Sequence, residues 1–239
     1  MQNLPASAPL HATVTMLAFL GNSPFRKPMV PNNKPRIGIL ALQGDFESHQ
    51  AAVEAVGGEA IRVKTPEAVA NIDALILPGG ESTVIGKLMV RYGIDTVIVE
   101  AGRAGMPIYG TCAGMILLAK RIDSGAMRGG QPTLGLMDIS VARNAFGRQV
   151  DSFETEIEIV PEVLGDSGAR TVHGVFIRAP YITEAGPDVE ILAWYRDRIV
   201  LARQGNLLAS AFHPELAGDS QVHRYFLERI VAPRLADRA

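Results

Sequence analysis

The chain has 239 residues, a single cysteine and a formal net charge of −2. A domain of that length buries roughly 70–75% of the surface its unfolded chain exposes, so it needs no disulfide staple, and one cysteine cannot form an internal one. Lysine and arginine are spread along the sequence and no apolar run reaches the ~20 residues of a membrane helix, so neither nucleic acid nor membrane is an expected partner, and a lone thiol fits a reducing cytoplasm.

Residues 1–35 read differently from the rest. They carry prolines at positions 5, 9, 24, 28, 31 and 35 and one modest apolar stretch, Val14 to Leu20. No lysine or arginine precedes Arg26, so the segment lacks the basic start of a secretory signal. It reads as a disordered extension or as a start placed upstream of the native one, for which Met29 is a candidate. The folded domain is expected over residues 36–239.

Arg36 to Leu42 is a short apolar run suited to a buried parallel strand. Gln43-Gly44-Asp45 punctuates it. Phe46 to Val56 reads as a helix with Ala51, Ala52, Val53 and Val56 inward, ended by Gly57-Gly58. Ala60 to Val63 is a second strand, and Ala74 to Leu77 a third, stopped by Pro78-Gly79-Gly80. Ser82 opens another helix, and Pro107 to Tyr109 is a strand. From Met137 onward, strands are expected at Ile139–Ala142, Glu154–Val160, Val172–Ile177, Val189–Trp194, Arg198–Ala202 and Leu207–Phe212. Strands alternating with helices imply right-handed βαβ units and a mostly parallel sheet. The predicted fold is therefore α/β, a flavodoxin-like three-layer sandwich, with the second-half strands completing or flanking the same sheet. In such folds, sites form at the carboxyl ends of the strands.

The most informative segment is Gly110-Thr111-Cys112-Ala113-Gly114, between a strand and a helix-forming run. This is the cysteine form of the nucleophile elbow. Its glycines remove Cβ atoms that would strike the adjoining strand and helix. A thiol at a helix N-terminus is favoured as thiolate. The alternative, a buried structural cysteine, does not explain the flanking glycines. A cysteine nucleophile needs a base and the base an orienter. His213, in Phe212-His213-Pro214-Glu215, ends an apolar strand. Pro214 biases it toward an extended conformation, in which Glu215 projects on the same side. Cys112, His213 and Glu215 are thus predicted as nucleophile, base and orienter; the competing reading is a chance surface His–Glu pair. Candidate oxyanion donors are the N–H groups of Ala113 and Gly80, the latter in a turn where Ser82 could equally be a plain helix cap.

Taken together, Leu77-Pro78-Gly79-Gly80-Glu81-Ser82, the Cys112 elbow and Phe212-His213-Pro214-Glu215 resemble the triad (class I) glutamine amidotransferases. Three more segments narrow the likeness: Ala41 to Phe46, Arg143 to Phe153 and Gly174 to Pro180. With these the chain, from about Arg36 to Ile230, is similar to the glutaminase subunits of pyridoxal 5'-phosphate synthase. The resemblance implies hydrolysis of L-glutamine to L-glutamate and ammonia, with ammonia channelled to a synthase subunit. It also implies that Gly80, Glu81 and Ser82 form the glutamine-binding loop, and that Arg143, Ile177 and Arg178 contact the substrate. No metal or cofactor is called for, pyridoxal phosphate being the product of the complex. For the arginines, the plain alternative is a surface salt bridge; for them it is also relevant that glutamine carries an α-carboxylate, which arginine binds well. Two rival readings use the same residues: a cysteine peptidase or the amidotransferase of another pathway, and a non-catalytic regulatory partner of a synthase. His49 and His223 have no mechanistic role in this reading, His49 being expected to cap or pack in the first helix, and His173 reads as structural.

Overall fold

A computed structural model describes residues 34–124, 130–143, 152–165 and 170–237. The expected N-terminal extension lies almost wholly outside the described residues, as do residues 144–151 of the segment beginning at Arg143.

The first half is a run of βα units: β1 Arg36–Leu40, α1 Phe46–Ala55, β2 Glu59–Val63, α2 Pro66–Val69, β3 Ala74–Leu77, α3 Ser82–Tyr92, α4 Ile94–Arg103, β4 Ile108–Thr111 and α5 Ala113–Leu118. The second half holds β5 Ala119–Ser124, β6 Met137–Ala142, β7 Ser152–Glu158, α6 Pro161–Leu164, β8 Thr171–Ile177, β9 Tyr181–Ala185, β10 Glu190–Tyr195, β11 Arg198–Gln204 and β12 Leu207–Ser210. A C-terminal helical segment closes the chain as α7 Gln221–Tyr225, wider π-type turns over Phe226–Val231, and α8 Ala232–Ala236.

The main sheet runs β2-β1-β3-β4-β12-β11-β9-β6-β5, with β10 paired to β11. Every pair from β2 to β12 is parallel. That half has the flavodoxin order 2-1-3-4-5, with β12 as the fifth strand. The strands β11, β9 and β6 add antiparallel pairs beyond it. All of β3 and β4 is buried, because helices cover both faces, which is why β3 is an unbroken apolar run rather than an alternating one. Each fully buried Ile or Leu there contributes about 1.5–3 kcal/mol.

The six strands expected in the second half all form. Two of them, β7 and β8, pair only with each other in a separate two-stranded sheet. Single bridges tie that hairpin to the main body, Ile159 to Ala193 and Val175 to His213. It therefore flanks the sheet, carrying Ile177 to the end of β12. Helix α1 also differs in detail from expectation. Its inward residues are His49, Ala52 and Val53, and Ala51 is exposed.

Candidate active site

The loops that follow β1, β3, β4, β6, β8 and β12 meet around one cleft of about 400 Å³. It is lined by Cys112, Ala113, His213, Gly80, Glu81, Ser82, Arg143, Ile177 and Arg178, which is every predicted site residue except Glu215. Glu215 lies just beneath, its side chain fully buried.

The elbow is strained. Cys112 sits at φ 49°, ψ −99°, a region costing a non-glycine residue about 1–3 kcal/mol. A Cβ on Gly110 would stand 2.5 Å from the Gly114 backbone, and one on Gly114 would stand 2.1 Å from the Leu77 carbonyl oxygen. The turn is thus pressed between α5 and β3, and only glycine fits on either side of the cysteine. The Cys112 Sγ lies 4.0 Å from the Ile177 carbonyl oxygen. Neither the Ala113 nor the Gly80 N–H is bonded to another described residue.

His213 is held extended by its N–H, which donates to the Val175 carbonyl at 2.9 Å. Its Nδ1 donates to Glu215 Oε1 at 2.8 Å, which leaves Nε2 for the thiol. The contact is not made along an extended strand, as expected from the sequence. Pro214 starts a turn in which the Ala217 and Asp219 N–H groups donate to its carbonyl, and Glu215 reaches back from inside that turn. Burial acts to lower the His213 pKa, but its hydrogen bonds to Cys112 and Glu215 push it up to about 10. Burial likewise acts to raise Glu215, and the field of His49 with hydrogen bonds from His213 and His49 holds it well below the usual carboxylate range.

The residues of the turn after β3 are tied together. Glu81, not Ser82, caps α3, its carboxylate accepting from the Thr83 and Val84 N–H groups at 3.3 and 2.8 Å. Arg143 Nη2 donates to Glu81 at 3.2 Å and Nη1 to Gln131 Oε1 at 2.6 Å. Burial opposes ionisation of Glu81, and the Val84 and Thr83 donors with Arg143 outweigh it, lowering its pKa. Arg178 has φ 44°, a second strained non-glycine residue at the cleft.

Several residues of the site have no role assigned from the sequence, although Gln43 lies in one of the segments that carry the resemblance. Gln43 Oε1 accepts from the Glu81 N–H at 2.9 Å and so braces the glycine turn. His49 and His223, both fully buried, stand behind Glu215. His49 neither caps α1, whose cap is Asp45, nor packs as an apolar side chain. Its Nε2 lies 3.2 Å from Glu215 Oε1 and 3.0 Å from Thr111 Oγ1, and its Nδ1 lies 2.9 Å from His223 Nε2. Among the described residues, His49, Glu215 and His223 are a group whose ligand-type atoms fall within 4.8 Å of one another. Direct hydrogen bonds from His49 to Glu215 and to His223 account for the grouping. His173 lies outside the cleft and pairs with Glu156 and Glu154 at 2.7 and 3.1 Å on the exposed face of β8.

The buried cluster gives stability a defined pH dependence. Burial, reinforced by His49, lowers the His223 pKa from 6.5 to about 3. Below pH 6.5 the unfolded chain therefore binds a proton that the folded chain refuses, and stability falls as pH drops toward 3. Glu215, ordinarily near 4.5, acts in the same direction below that pH. His213 acts oppositely: its contribution is complete below 6.5 and is lost as pH rises toward about 10. Melting temperature is expected to peak near neutrality; a monotonic rise toward acid in thermal melts across pH would contradict this.

The SNO glutamine amidotransferase family matches residues 39–232. The chain is 55% identical over 196 residues to the pyridoxal 5'-phosphate synthase subunit PdxT of Pelotomaculum thermopropionicum, covering 82% of this chain and 95% of that protein. It is 52% identical over 195 residues to the PdxT of Carboxydothermus hydrogenoformans, covering 82% and 97%. Among solved structures, a glutamine amidotransferase crystal structure is 49% identical and superposes with a TM-score of 0.72, over 80% of this chain and 97% of the other. A glutamine amidotransferase from Thermotoga maritima, 13% identical, superposes at 0.57 over 84% and 99%, a likeness of fold alone. The α/β architecture and the likeness seen in the motifs are both borne out: the chain belongs to the SNO glutamine amidotransferase family.

Proposed function

We propose that this chain is the glutaminase subunit of a pyridoxal 5'-phosphate synthase. It hydrolyses L-glutamine to L-glutamate and ammonia, and the ammonia passes to the synthase subunit. The observation that carries the reading is the buried Cys112–His213–Glu215 line at the floor of a cleft whose rim bears Glu81, Arg143 and Arg178, in a chain so similar to PdxT proteins.

Glutamine is a zwitterion with a neutral reactive end. Arg143 and Arg178 suit its α-carboxylate and Glu81 its α-ammonium; Ser82, Gly80 and Ile177 complete the walls. The carboxamide then faces Cys112. The thiolate attacks the amide carbon, and the carbonyl electron pair moves onto oxygen, where the Gly80 and Ala113 N–H groups receive it. As that pair returns, the C–N bond breaks and His213 gives its proton to the leaving ammonia. A glutamyl thioester remains. Water attacks it, losing a proton to His213, and collapse releases glutamate and restores the thiolate. Glu215 keeps the His213 ring oriented throughout.

The deciding experiment is ammonia release from free L-glutamine, with glutamate formed in equal amount, measured alone and with the synthase subunit. Cleavage of peptides instead would favour the peptidase reading. No ammonia in either case would favour a regulatory partner. Among the described residues, no helix is long and apolar enough to cross a membrane; the cytoplasmic setting rests on the reduced thiol that the mechanism needs.

The domain is read as residues 36–239, and the family match begins inside β1. A chain starting at Met29 is expected to equal the full chain in melting temperature and in glutaminase rate. A fall of several degrees would assign residues 1–28 a packing role.

A further inference from the structure

The proposed triad ends at Glu215, yet the hydrogen-bonded line continues inward past it. Glu215 is held through one oxygen only. Oε1 takes both His213 Nδ1, at 2.8 Å, and His49 Nε2, at 3.2 Å. Oε2 is buried with no hydrogen-bond partner among the described residues. A carboxylate anchored at a single point can pivot, and two donors on that point from different elements are what stop it. One donor, His213, is the very group that Glu215 has to orient. His49 is therefore the only independent hold on the carboxylate among the described residues.

We propose that His49 is a positioning residue for glutamine hydrolysis, fixing Glu215 from behind so that Glu215 in turn fixes His213, with His223 steadying the His49 ring. The inference rests on the glutaminase reading for its substrate.

The surroundings support this atom by atom. An ionised carboxylate only accepts, so His49 must carry a proton on Nε2. Thr111 Oγ1, 3.0 Å from the same nitrogen, sits on β4 directly before the nucleophile and limits the swing of the ring. On the far side His223 Nε2 meets His49 Nδ1 at 2.9 Å. The rings of Tyr109 and His223 enclose His49 at centroid distances of 6.3 and 5.2 Å. Tyr109 does not compete for the carboxylate, since its hydroxyl is engaged with Ser210 Oγ at 2.9 Å. His49 does not line the cleft, so its effect must be transmitted through Glu215. Its helix α1 packs against the helix α7 that bears His223, which explains how residues 174 positions apart come to share one bond.

Two amide substitutions separate positioning from packing in the full-length chain. His49→Gln puts an amide nitrogen where Nε2 was and keeps the bond to Glu215. His49→Asn reaches only the Nδ1 position and loses it. Expected results are a kcat for glutamine, with the synthase subunit present, near wild type for His49→Gln and lower by about 10²-fold for His49→Asn, a loss that a ~1 Å misplacement of a catalytic group can cause. KM should be unchanged in both. Equal rates in the two variants, at equal melting temperature, would overturn the proposal. A second readout needs no glutamine and so stays meaningful if the glutaminase reading fails. Alkylation of Cys112 by iodoacetamide should shift to higher pH in His49→Asn relative to wild type and not in His49→Gln, because an imidazolium that Glu215 no longer holds pairs less well with the thiolate. Coincident profiles would overturn it. A third readout uses the unaltered protein, should either variant fold poorly. Long-range proton–nitrogen spectra of histidine-labelled protein should show the His49 proton on Nε2; a bare Nε2 would exclude donation to Glu215.

Discussion

Replacing Cys112 with alanine is expected to lower kcat for glutamine on the order of 10⁶-fold, the loss seen when the nucleophile of a comparable hydrolytic triad is removed. No other group can substitute. Cys112 is the only cysteine, and Ser82, though on the cleft wall, stands in the first turn of α3, without the strained elbow that aims the Cys112 side chain. The fold should survive the change. Alanine and cysteine share the cost of the positive φ at position 112, and the change removes a single sulfur atom from a side chain that already borders the open cleft. Melting temperature should move by no more than a few degrees. A diazo-ketone analogue of glutamine should add one covalent group to the wild-type chain, at Cys112, and none to the variant. Labelling elsewhere, or a variant with ordinary turnover, would remove Cys112 from the mechanism.

The parts of this molecule that can be read from sequence are those set by local rules. Buried parallel strands announce themselves as unbroken apolar runs, as β1, β3 and β12 do. The elbow is legible because its two glycines answer a short-range steric demand, visible in the structure as the 2.5 and 2.1 Å approaches of the missing Cβ atoms. What stays hidden depends on distance along the chain. The strand β9 follows the strained Arg178 and pairs with β6 and β11; its polar Thr183 and Glu184 break the apolar signal. Helix α4 begins directly after Gly93, which ends α3 at φ 67°, so a glycine that reads as a stop is also a start. That β7 and β8 leave the main sheet is a matter of pairing partners, which composition does not record. The glycine turn is braced by Gln43 and capped by Glu81, although a serine at the next position is the stronger capping signal in a bare sequence. The inner histidines are the clearest case. His49 follows no motif of its own, and nothing local joins it to His223; only the packing of α1 against α7 does.

The same geometry predicts unequal losses when the base and its orienter are altered. In the proposed mechanism His213→Asn removes the group that moves protons to and from the reacting atoms, and its loss should approach that of Cys112→Ala. Glu215→Gln is subtler. If the amide oxygen takes the Oε1 position, both histidine donors keep an acceptor, but the NH₂ then occupies the Oε2 site, which offers no partner among the described residues and costs about 1–3 kcal/mol. If the amide turns round, its NH₂ faces His213 and His49. His213 Nδ1 must then be an acceptor, its proton moves to Nε2, and the nitrogen facing the thiol can no longer act as a base. In the serine proteases this exchange of tautomer costs about 10⁴-fold in kcat. The two orientations compete, so Glu215→Gln should lose roughly 10²–10⁴-fold, with KM little changed because Glu215 lies beneath the cleft and not on its wall. Its melting curve should also lose part of the decline below pH 4.5 that the ionised carboxylate imposes. Steady-state kinetics on both variants decide the matter. A graded pair of losses fits an orienter; losses of equal size, with both proteins folded, would mean that Glu215 itself takes a proton during the reaction.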